Sequence, residues 1–420
     1  MHRQENSLRP KITAPRRPKV CDEARLRQAM ERQKLDLIVA HSRANVGYLT
    51  GHFTTTWHWD SAILHFMKME YEGWDYVVYG GFPKDPKKDI FLIEYNHRLE
   101  AVSKQGTWAD KIYGYYQGGR YQPEEKRSTC FDPPWEKTAT EVLVQAVRES
   151  GCEKGRVGIE LNQVSQAVFA ELRRELPAVE WVDSWDLLLR LRAVKTPEEQ
   201  RRLRHAFKVA TEVYQAVIPA IRPGDTPYGI FLKELNETYS RGGTFLANHI
   251  CFGSGDIAHT PPPDAPIKAG QVGTLDLCIS TQDYQTDYGR VVCVGTPPDG
   301  FRKTYDTVMQ GMELAVRGAQ PGRKVTDLFW EVARFLEKHD LCFAMGFVGH
   351  GTGLDVHEYP FISPAREGDV LEVGMTPVLE FYLELKDYGC FLVENTGIVT
   401  ENGLEILSTF PYRELMVLPA

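Results

Sequence analysis

Residues 272–280 read VGTLDLCIS, and residues 284–292 read YQTDYGRVV. Each is an apolar run with one acid set inside it, Asp276 in the first and Asp287 in the second. Runs of this length and composition, bounded by polar turn residues, read as buried strands. The turn between them contains Asp283, so the two strands of a hairpin present both carboxylates to one point. A charged group in an apolar strand is expensive unless it is paired or metal-bound. Three more residues of this kind follow. His350 stands in the glycine-rich VGHGTGLDVHEYP (348–360), where bare backbone lets other groups approach an ion. Glu380 lies in MTPVLEFYL (375–383) and Glu394 in CFLVENTGIV (390–399), both read as strands. Taken singly, each acid also reads as a solvent-facing group and the histidine as a satisfied loop residue. Together they are hard oxygen donors plus an imidazole, the donor set of a dinuclear metal site.

Working outward, the C-terminal half opens at KTPEEQRRLRHAFKVATEVYQAV (195–217). Thr196 is read as the helix cap, Pro197 as the first helical residue and Glu199 as the partner that completes a capping box. Leu203, Ala206, Phe207, Ala210, Tyr214 and Val217 then fall on one helical stripe. Further helices are expected over about 302–317 and 325–339, interleaved with strands near 272–279, 287–294, 376–382 and 391–399. The N-terminal half gives an amphipathic helix around Asp22–Gln33 and a short buried strand at Leu37–Ala40. Asn45–Gly51, NVGYLTG, is read as a turn and a second strand, and Asp89–Tyr95 as another strand. A helix over Thr138–Ser150 leads through GCEKG to a strand at Arg156–Leu161. Strands alternating with helices imply an α/β layer with some parallel pairing. Residues 111–136, rich in Tyr, Gly and Pro, read as a long functional loop.

Composition bounds the rest. A chain of 420 residues suggests about two or three domains. With 49 Lys and Arg against 57 Asp and Glu, the formal charge is −8. A mildly acidic surface argues against nucleic acid as the partner. No apolar run of about 18 residues is present, so no membrane partner is expected. The basic, Pro-rich residues 1–20 lack the apolar core of a secretory signal and are read as a flexible arm. The 8 cysteines form no Cys-x-x-Cys pair and are expected to be reduced thiols in the cytoplasm.

The pattern Asp-x10-Asp, then GHGTGLDVHE (349–358), then two Glu, resembles the pita-bread metalloenzymes: methionine aminopeptidase, aminopeptidase P, prolidase and creatinase. The spacing is most similar to prolidases and small aminopeptidase P homologues. LDLIVAHSRANVGYLTG (35–51) resembles the N-terminal domain of prolidases and creatinases, and RAVKTPEEQRRLRHAF (192–207) their domain junction. The resemblance implies an α/β (α+β) fold, with an N-terminal creatinase-like domain over 21–190. Over 191–420 it implies a pita-bread catalytic domain, with a pseudo-twofold antiparallel sheet and helices. It also implies two divalent metal ions per subunit, Mn first, with Co, Zn or Fe as alternatives. The implied ligands are Asp276, Asp287, His350, Glu380 and Glu394, with Glu380 doubling as general base. His259, in GDIAHTPPP (255–263), and His357 match the family's substrate-side histidines, Arg290 its Arg and Thr396 its Thr. The implied reaction is attack of a metal-shared hydroxide on the carbonyl of a C–N bond in a short peptide or small molecule, by a homodimer.

The departures concern substrate. The residue two before the last Glu, often Arg in prolidases and aminopeptidase P, is Leu392. Phe381 replaces the usual Pro after the first Glu, and Phe361 stands where some prolidases carry Arg. Cys278 replaces a usual Gly and by alternation shares a face with Asp276, as soft ligand, wall or packing. Fewer guanidinium groups and more aromatics make a pocket less suited to a free proline carboxylate. A nonpeptide substrate, as in creatinase or an ectoine-type hydrolase, is therefore an alternative. So is a dimethylsulfoniopropionate-lyase-like C–S lyase, which shares the missing Pro and an RGG run, here Arg241–Gly243. That lyase has Asp near the position of His357, which ranks it lower. The aromatic set Trp57, His58 and Trp59 suits either a cage for a substrate or dimer packing. A noncatalytic binding protein is the third reading, and the intact ligand set argues against it.

Overall fold

The computed structural model describes residues 18–53, 77–95, 98–115, 138–253, 264–385 and 388–420. The chain divides into two compact units, Met1–Leu191 and Arg192–Ala420. Among the described residues no helix is long and apolar enough to cross a membrane.

In the first unit, Asp22 caps α1 (Glu23–Arg32) by accepting from the Arg25 amide at 3.0 Å. β1 (Leu37–Ala40) follows, buried along its whole length. Residues 45–50, expected as a turn and strand, instead lie in α2 (Arg43–Thr50). The reason is capping. Ser42 caps the helix, Gly51 ends it at φ 73°, and the Glu160 carboxylate accepts from the Ser42 amide (2.8 Å) and hydroxyl (2.7 Å). A Ser cap before the run and a glycine in the left-handed region after it outweigh the strand propensity of Val46 and Tyr48. β2 (Tyr79–Pro83), β3 (Phe91–Tyr95), α3 (Leu99–Gln105) and β4 (Lys111–Tyr115) come next. β4 takes the start of the stretch expected as loop, and residues 116–137 lie outside the described residues. α4 (Ala139–Glu149), β5 (Arg156–Ile159), α5 (Gln166–Glu175) and β6 (Glu180–Asp183) complete a sheet of order β4-β3-β2-β1-β5-β6. Its β1–β5, β5–β6 and β3–β4 pairs are parallel.

The helix α6 (Trp185–Ala193) leads to α7 (Pro197–Val217). The capping box of α7 is closed, with Thr196 accepting from Glu199 and Glu199 accepting back from the Thr196 amide at 2.8 Å. The stripe Leu203, Ala206, Phe207, Ala210, Tyr214 and Val217 is buried. Each large side chain of that stripe contributes about 1.5–3 kcal/mol by leaving water. The tyrosine hydroxyl of Tyr214 donates to the Leu275 carbonyl at 3.0 Å, which seats the helix on the sheet.

α8 (Pro227–Ser240), β7 (Thr244–Phe252), β8 (Val272–Thr281), β9 (Tyr284–Gln285) and β10 (Gly289–Val294) follow, then α9 (Phe301–Gly318) and α10 (Val325–Glu337). The chain ends in β11 (Gly349–Gly351), β12 (Glu358–Ile362), β13 (Pro377–Leu385), β14 (Gly389–Thr400), β15 (Gly403–Ile406) and β16 (Met416–Leu418). One sheet runs β16-β10-β8-β7 and the other β12-β11-β13-β14-β15. The fold is thus mixed α/β with a largely antiparallel second unit, as the family resemblance implies. The β8–β9 hairpin turns through Gln282 (φ 51°) and Asp283 (φ 75°). The glycines on either side of His350 have a packing role. A Cβ at Gly349 would lie 1.9 Å from the Val378 carbonyl oxygen, and one at Gly351 would lie 2.0 Å from that of Tyr359. The glycines let β11 lie against its two neighbours.

Candidate metal centre

Strand alternation and register bring the predicted acids together. Asp276 pairs in register with Gly289 of β10 and with His249 of β7. Glu380 of β13 and Glu394 of β14 stand directly opposite one another. Directly opposed residues share one face of the sheet. Gly289 makes room for the second sheet, because a Cβ there would lie 3.0 Å from Glu394 Cγ and 3.3 Å from its Oε2. Two side chains lock β14 to β10. Thr396 donates to the Asp287 carbonyl at 3.0 Å. The buried Arg290 donates to the Glu394 carbonyl, and to those of Ser408 and Phe410 at 2.7 and 2.8 Å. Arg290 and Thr396 therefore hold the strands that carry the acids.

All five predicted ligands are buried. Asp276 is 5 %, Asp287 3 %, His350 2 %, Glu380 7 % and Glu394 2 % exposed. His350 Nδ1 lies 3.0 Å from the Gly351 carbonyl, which assigns the proton to that nitrogen. Its Nε2 then faces Asp287 Oδ2 at 3.2 Å and Glu380 Oε2 at 3.3 Å. Nε2 is buried and has no hydrogen-bond partner of good geometry among the described residues. A lone pair aimed at two carboxylates is repulsive unless a proton or a cation stands between them.

The electrostatics agree. Burial, then the charges of Asp287 and Glu380, raise the Asp276 carboxyl well above its ordinary range. Burial and the charges of Asp276, Asp287 and Glu380 do the same to Glu394. Burial also acts to raise Asp287, but His350, His357 and Cys278 overcome it and lower that carboxyl. Burial acts to lower His350, but Asp287 and Glu380 push it up to about 10. Metal-free, the cluster has to be relieved by protons. Asp276 Oδ1 and Glu394 Oε2, like His350 Nε2, have no hydrogen-bond partner among the described residues. Such orphaned buried atoms are rare in native proteins. Oxygen-rich donors with one imidazole suit divalent cations of the Mn, Co, Zn and Fe group. The residues therefore fit a metal centre. Ligand atoms of Asp287, His350 and His357 lie within 4.8 Å of one another, as do those of Asp276, Cys278 and Asp287.

His357 is the exposed member. Its ring lies 4.1 Å from that of His350, and its Nε2 lies 3.7 Å from Asp287 Oδ2. Desolvation, then the charge of His350, lowers its pKa. His259 lies outside the described residues, as do Trp57, His58 and Trp59.

The pocket departures separate into two groups. Leu392 is buried opposite Tyr382, and alternation puts it on the face of Glu394. Phe381 does not line the site. It lies on the opposite face of β13, with its ring 5.2 Å from that of Phe343 and against Gly311. Phe361 stacks near Tyr359 with the Arg366 guanidinium 5.3 Å above its ring. Sequence reasoning missed His249, which stands across from Asp276 and whose charge acts on His357. A lone histidine in the ANHICF stretch was the available signal. It also missed Phe347, whose ring meets that of His350 edge-on at 6.2 Å.

A charged cluster supports the turn that bears His357. Glu358 accepts from Lys195 at 2.8 Å and from Arg192, and Arg192 also reaches Asp355 at 2.6 Å. Arg192, Lys195 and Glu358 are all buried.

Comparison with known proteins agrees with this geometry. Residues 201–401 match metallopeptidase family M24, and residues 24–194 match the creatinase/prolidase N-terminal domain. The chain is 26% identical over 370 residues to an Xaa-Pro dipeptidase of Lactobacillus helveticus, covering 81% of this chain and 91% of that one. It is 23% identical over 417 residues to an ectoine hydrolase of Halomonas elongata, covering 94% and 95%. Its fold is similar to that of an X-Pro aminopeptidase from Thermotoga maritima, with TM-score 0.75 and 20% identity over 94% of this chain and 99% of that chain.

Proposed function

With residues 201–401 a member of metallopeptidase family M24 and residues 24–194 a creatinase/prolidase N-terminal domain, we propose that this chain is a dinuclear metal-dependent hydrolase. It cleaves a C–N bond beside a carbonyl, in an Xaa-Pro type peptide or a small amide. One observation carries the reading: Asp276 Oδ1, His350 Nε2 and Glu394 Oε2 are buried together around Asp287, without hydrogen-bond partners among the described residues. Asp276, Asp287, His350, Glu380 and Glu394 hold the ions. A pair of divalent cations held there would supply Lewis acidity, lowering the pKa of a bound water and polarising the substrate carbonyl. Glu380 accepts the proton of the attacking water as general base. His357, exposed beside Asp287, donates to the developing oxyanion. His259 orients the leaving side. Among the described residues the thiols of Cys152, Cys278, Cys293 and Cys342 form no disulfide, which supports action in the cytoplasm. The family resemblance supports a homodimer acting on short peptides or small molecules.

A nonpeptide amide is the second reading, favoured by Leu392. A buried leucine on the Glu394 face offers no charge to a proline carboxylate. The ectoine hydrolase relative, which spans nearly the whole chain, points the same way.

The test combines elemental analysis with a panel of Xaa-Pro dipeptides and small amides. Two ions per chain are expected, with turnover lost to chelator and restored by metal. Asp287→Ala and Glu394→Ala should lose metal and turnover with circular dichroism unchanged. Full turnover in metal-free protein or in either variant overturns the proposal.

A further inference from the structure

Cys278 stands two residues after Asp276 on β8, where alternation points both side chains to one face and Leu277 to the other. Cys278 is 5 % exposed, and its thiol donates to Asp287 Oδ1 at 3.4 Å. Asp276, Cys278 and Asp287 each offer a ligand atom, and all three atoms lie within 4.8 Å of one another. The neighbouring Asp276 Oδ1 is buried without a hydrogen-bond partner among the described residues. Tetrahedral ligands at about 2.3 Å for sulfur and about 2.1 Å for oxygen stand about 3.6 Å apart. The Cys278–Asp287 separation of 3.4 Å is close to that spacing. The sulfur thus stands at ligand-to-ligand spacing from Asp287 Oδ1 and on the face of Asp276.

We propose that Cys278 is a ligand of the ion held by Asp276 and Asp287, and that this position takes a thiophilic divalent cation such as zinc, cobalt or cadmium. The inference rests on the metal centre proposed above. Binding breaks the S–H bond and forms a sulfur–metal bond, and the proton passes to water. No oxidant or other reactant is needed. A thiolate among carboxylates biases an otherwise hard site toward softer ions. The two ion positions of this chain then differ in preference, one built from carboxylates and sulfur, the other from carboxylates and imidazole.

The experiment loads the full metal-free chain with Co2+ and reads cobalt content alongside the near-ultraviolet spectrum. The expected result is bound cobalt with a sulfur-to-cobalt charge-transfer band. That band should persist in Cys342→Ser, whose thiol is exposed, and vanish in Cys278→Ser. Groups that merely orient ligands are worth about 10–100-fold in metal affinity. Losing the sulfur is therefore expected to lower Zn2+ affinity at least that much, and Mn2+ affinity far less. An equal loss for both ions marks a structural role and overturns the proposal. Cobalt bound at two per chain without the band also overturns it, and leaves the metal centre standing. Failure of the wild-type chain to bind any cobalt overturns both. X-ray absorption of the zinc-loaded wild-type chain needs no variant. A sulfur neighbour at about 2.3 Å supports the assignment, and a shell of nitrogen and oxygen alone refutes it.

Discussion

Replacing Glu358 by Gln perturbs the turn that carries His357 while leaving all five proposed ligands in place. Glu358 accepts from Lys195 at 2.8 Å, from Arg192, and from the Asp355 amide at 2.9 Å. Burial alone would raise its pKa, but Arg192 and Lys195 overcome burial and hold it at about 2, against 4.5 for a free Glu. That difference corresponds to roughly 3 kcal/mol of stability. The value agrees with the about 3–5 kcal/mol expected when one partner of a buried ion pair is removed. For a unit of this size, each kcal/mol moves the melting temperature by about 2–4 °C, so Glu358→Gln should melt about 6–12 °C lower at pH 7. The sign with pH follows from the lowered pKa. The contribution is complete above pH 4.5 and is lost as pH falls toward about 2, so the gap between wild type and variant should close there. Scanning calorimetry of the metal-loaded chain at several pH values reads both quantities. The displaced turn should lower kcat about 10–100-fold, with KM moving less. A melting difference under about 2 °C at pH 7, or one that does not shrink in acid, would refute the role given to this cluster.

Glu199 tests the opposite sign. Burial raises its pKa to about 7 in spite of Lys195, against 4.5 when free. The folded chain therefore holds a proton that the unfolded chain has lost between pH 4.5 and 7, so stability falls as pH rises through that window. Glu199→Gln should remove the fall, separating from wild type by roughly 3 kcal/mol at pH 8; parallel melting curves from pH 4.5 to 8 would contradict this. Leu392→Arg places a guanidinium on the Glu394 face. It should shift the kcat/KM ratio of Xaa-Pro dipeptide to small amide by about 10–100-fold toward the peptide, and an unmoved ratio would remove Leu392 from the specificity argument.

Much of this was legible in the sequence because period and chemistry agreed. Asp276, Asp287, Glu380 and Glu394 each interrupt an apolar run, and a lone acid in such a run has to be compensated. The capping box at Thr196 and Glu199 fixed the start of α7 to the residue. Asn45–Gly51 failed because its apolar residues fit a strand as well as a helix. The deciding partner, Glu160, lies over a hundred residues away in sequence and ties Ser42 and Asn45 through its carboxylate. Phe381 failed for a related reason. The missing proline drew attention to the position, but alternation turns the ring to the face opposite Glu380. Period 2 could have sorted it, since Leu392 and Glu394 share a face and Phe381 and Glu380 do not. His249 needed the β7–β8 register, which a single strand does not carry.

The cluster also explains why so much of the second unit is devoted to holding backbone. Four buried acids repel one another, and burial holds the neighbouring Glu234 protonated up to about pH 8, which spares Asp276 a further charge below that pH. Nothing in an apolar strand hairpin would keep such groups convergent in a metal-free chain. Arg290 and Thr396 do so by bonding main-chain carbonyls rather than the acids, so they leave the carboxylate lone pairs available. A guanidinium bonded directly to Glu394 would have neutralised it and competed with a cation for the same oxygens. The orphaned Oε2 of Glu394 and the Arg290 bond to its carbonyl are thus one arrangement. The positive charge lies close enough to offset part of the repulsion, yet it stays off the atoms that metal binding requires.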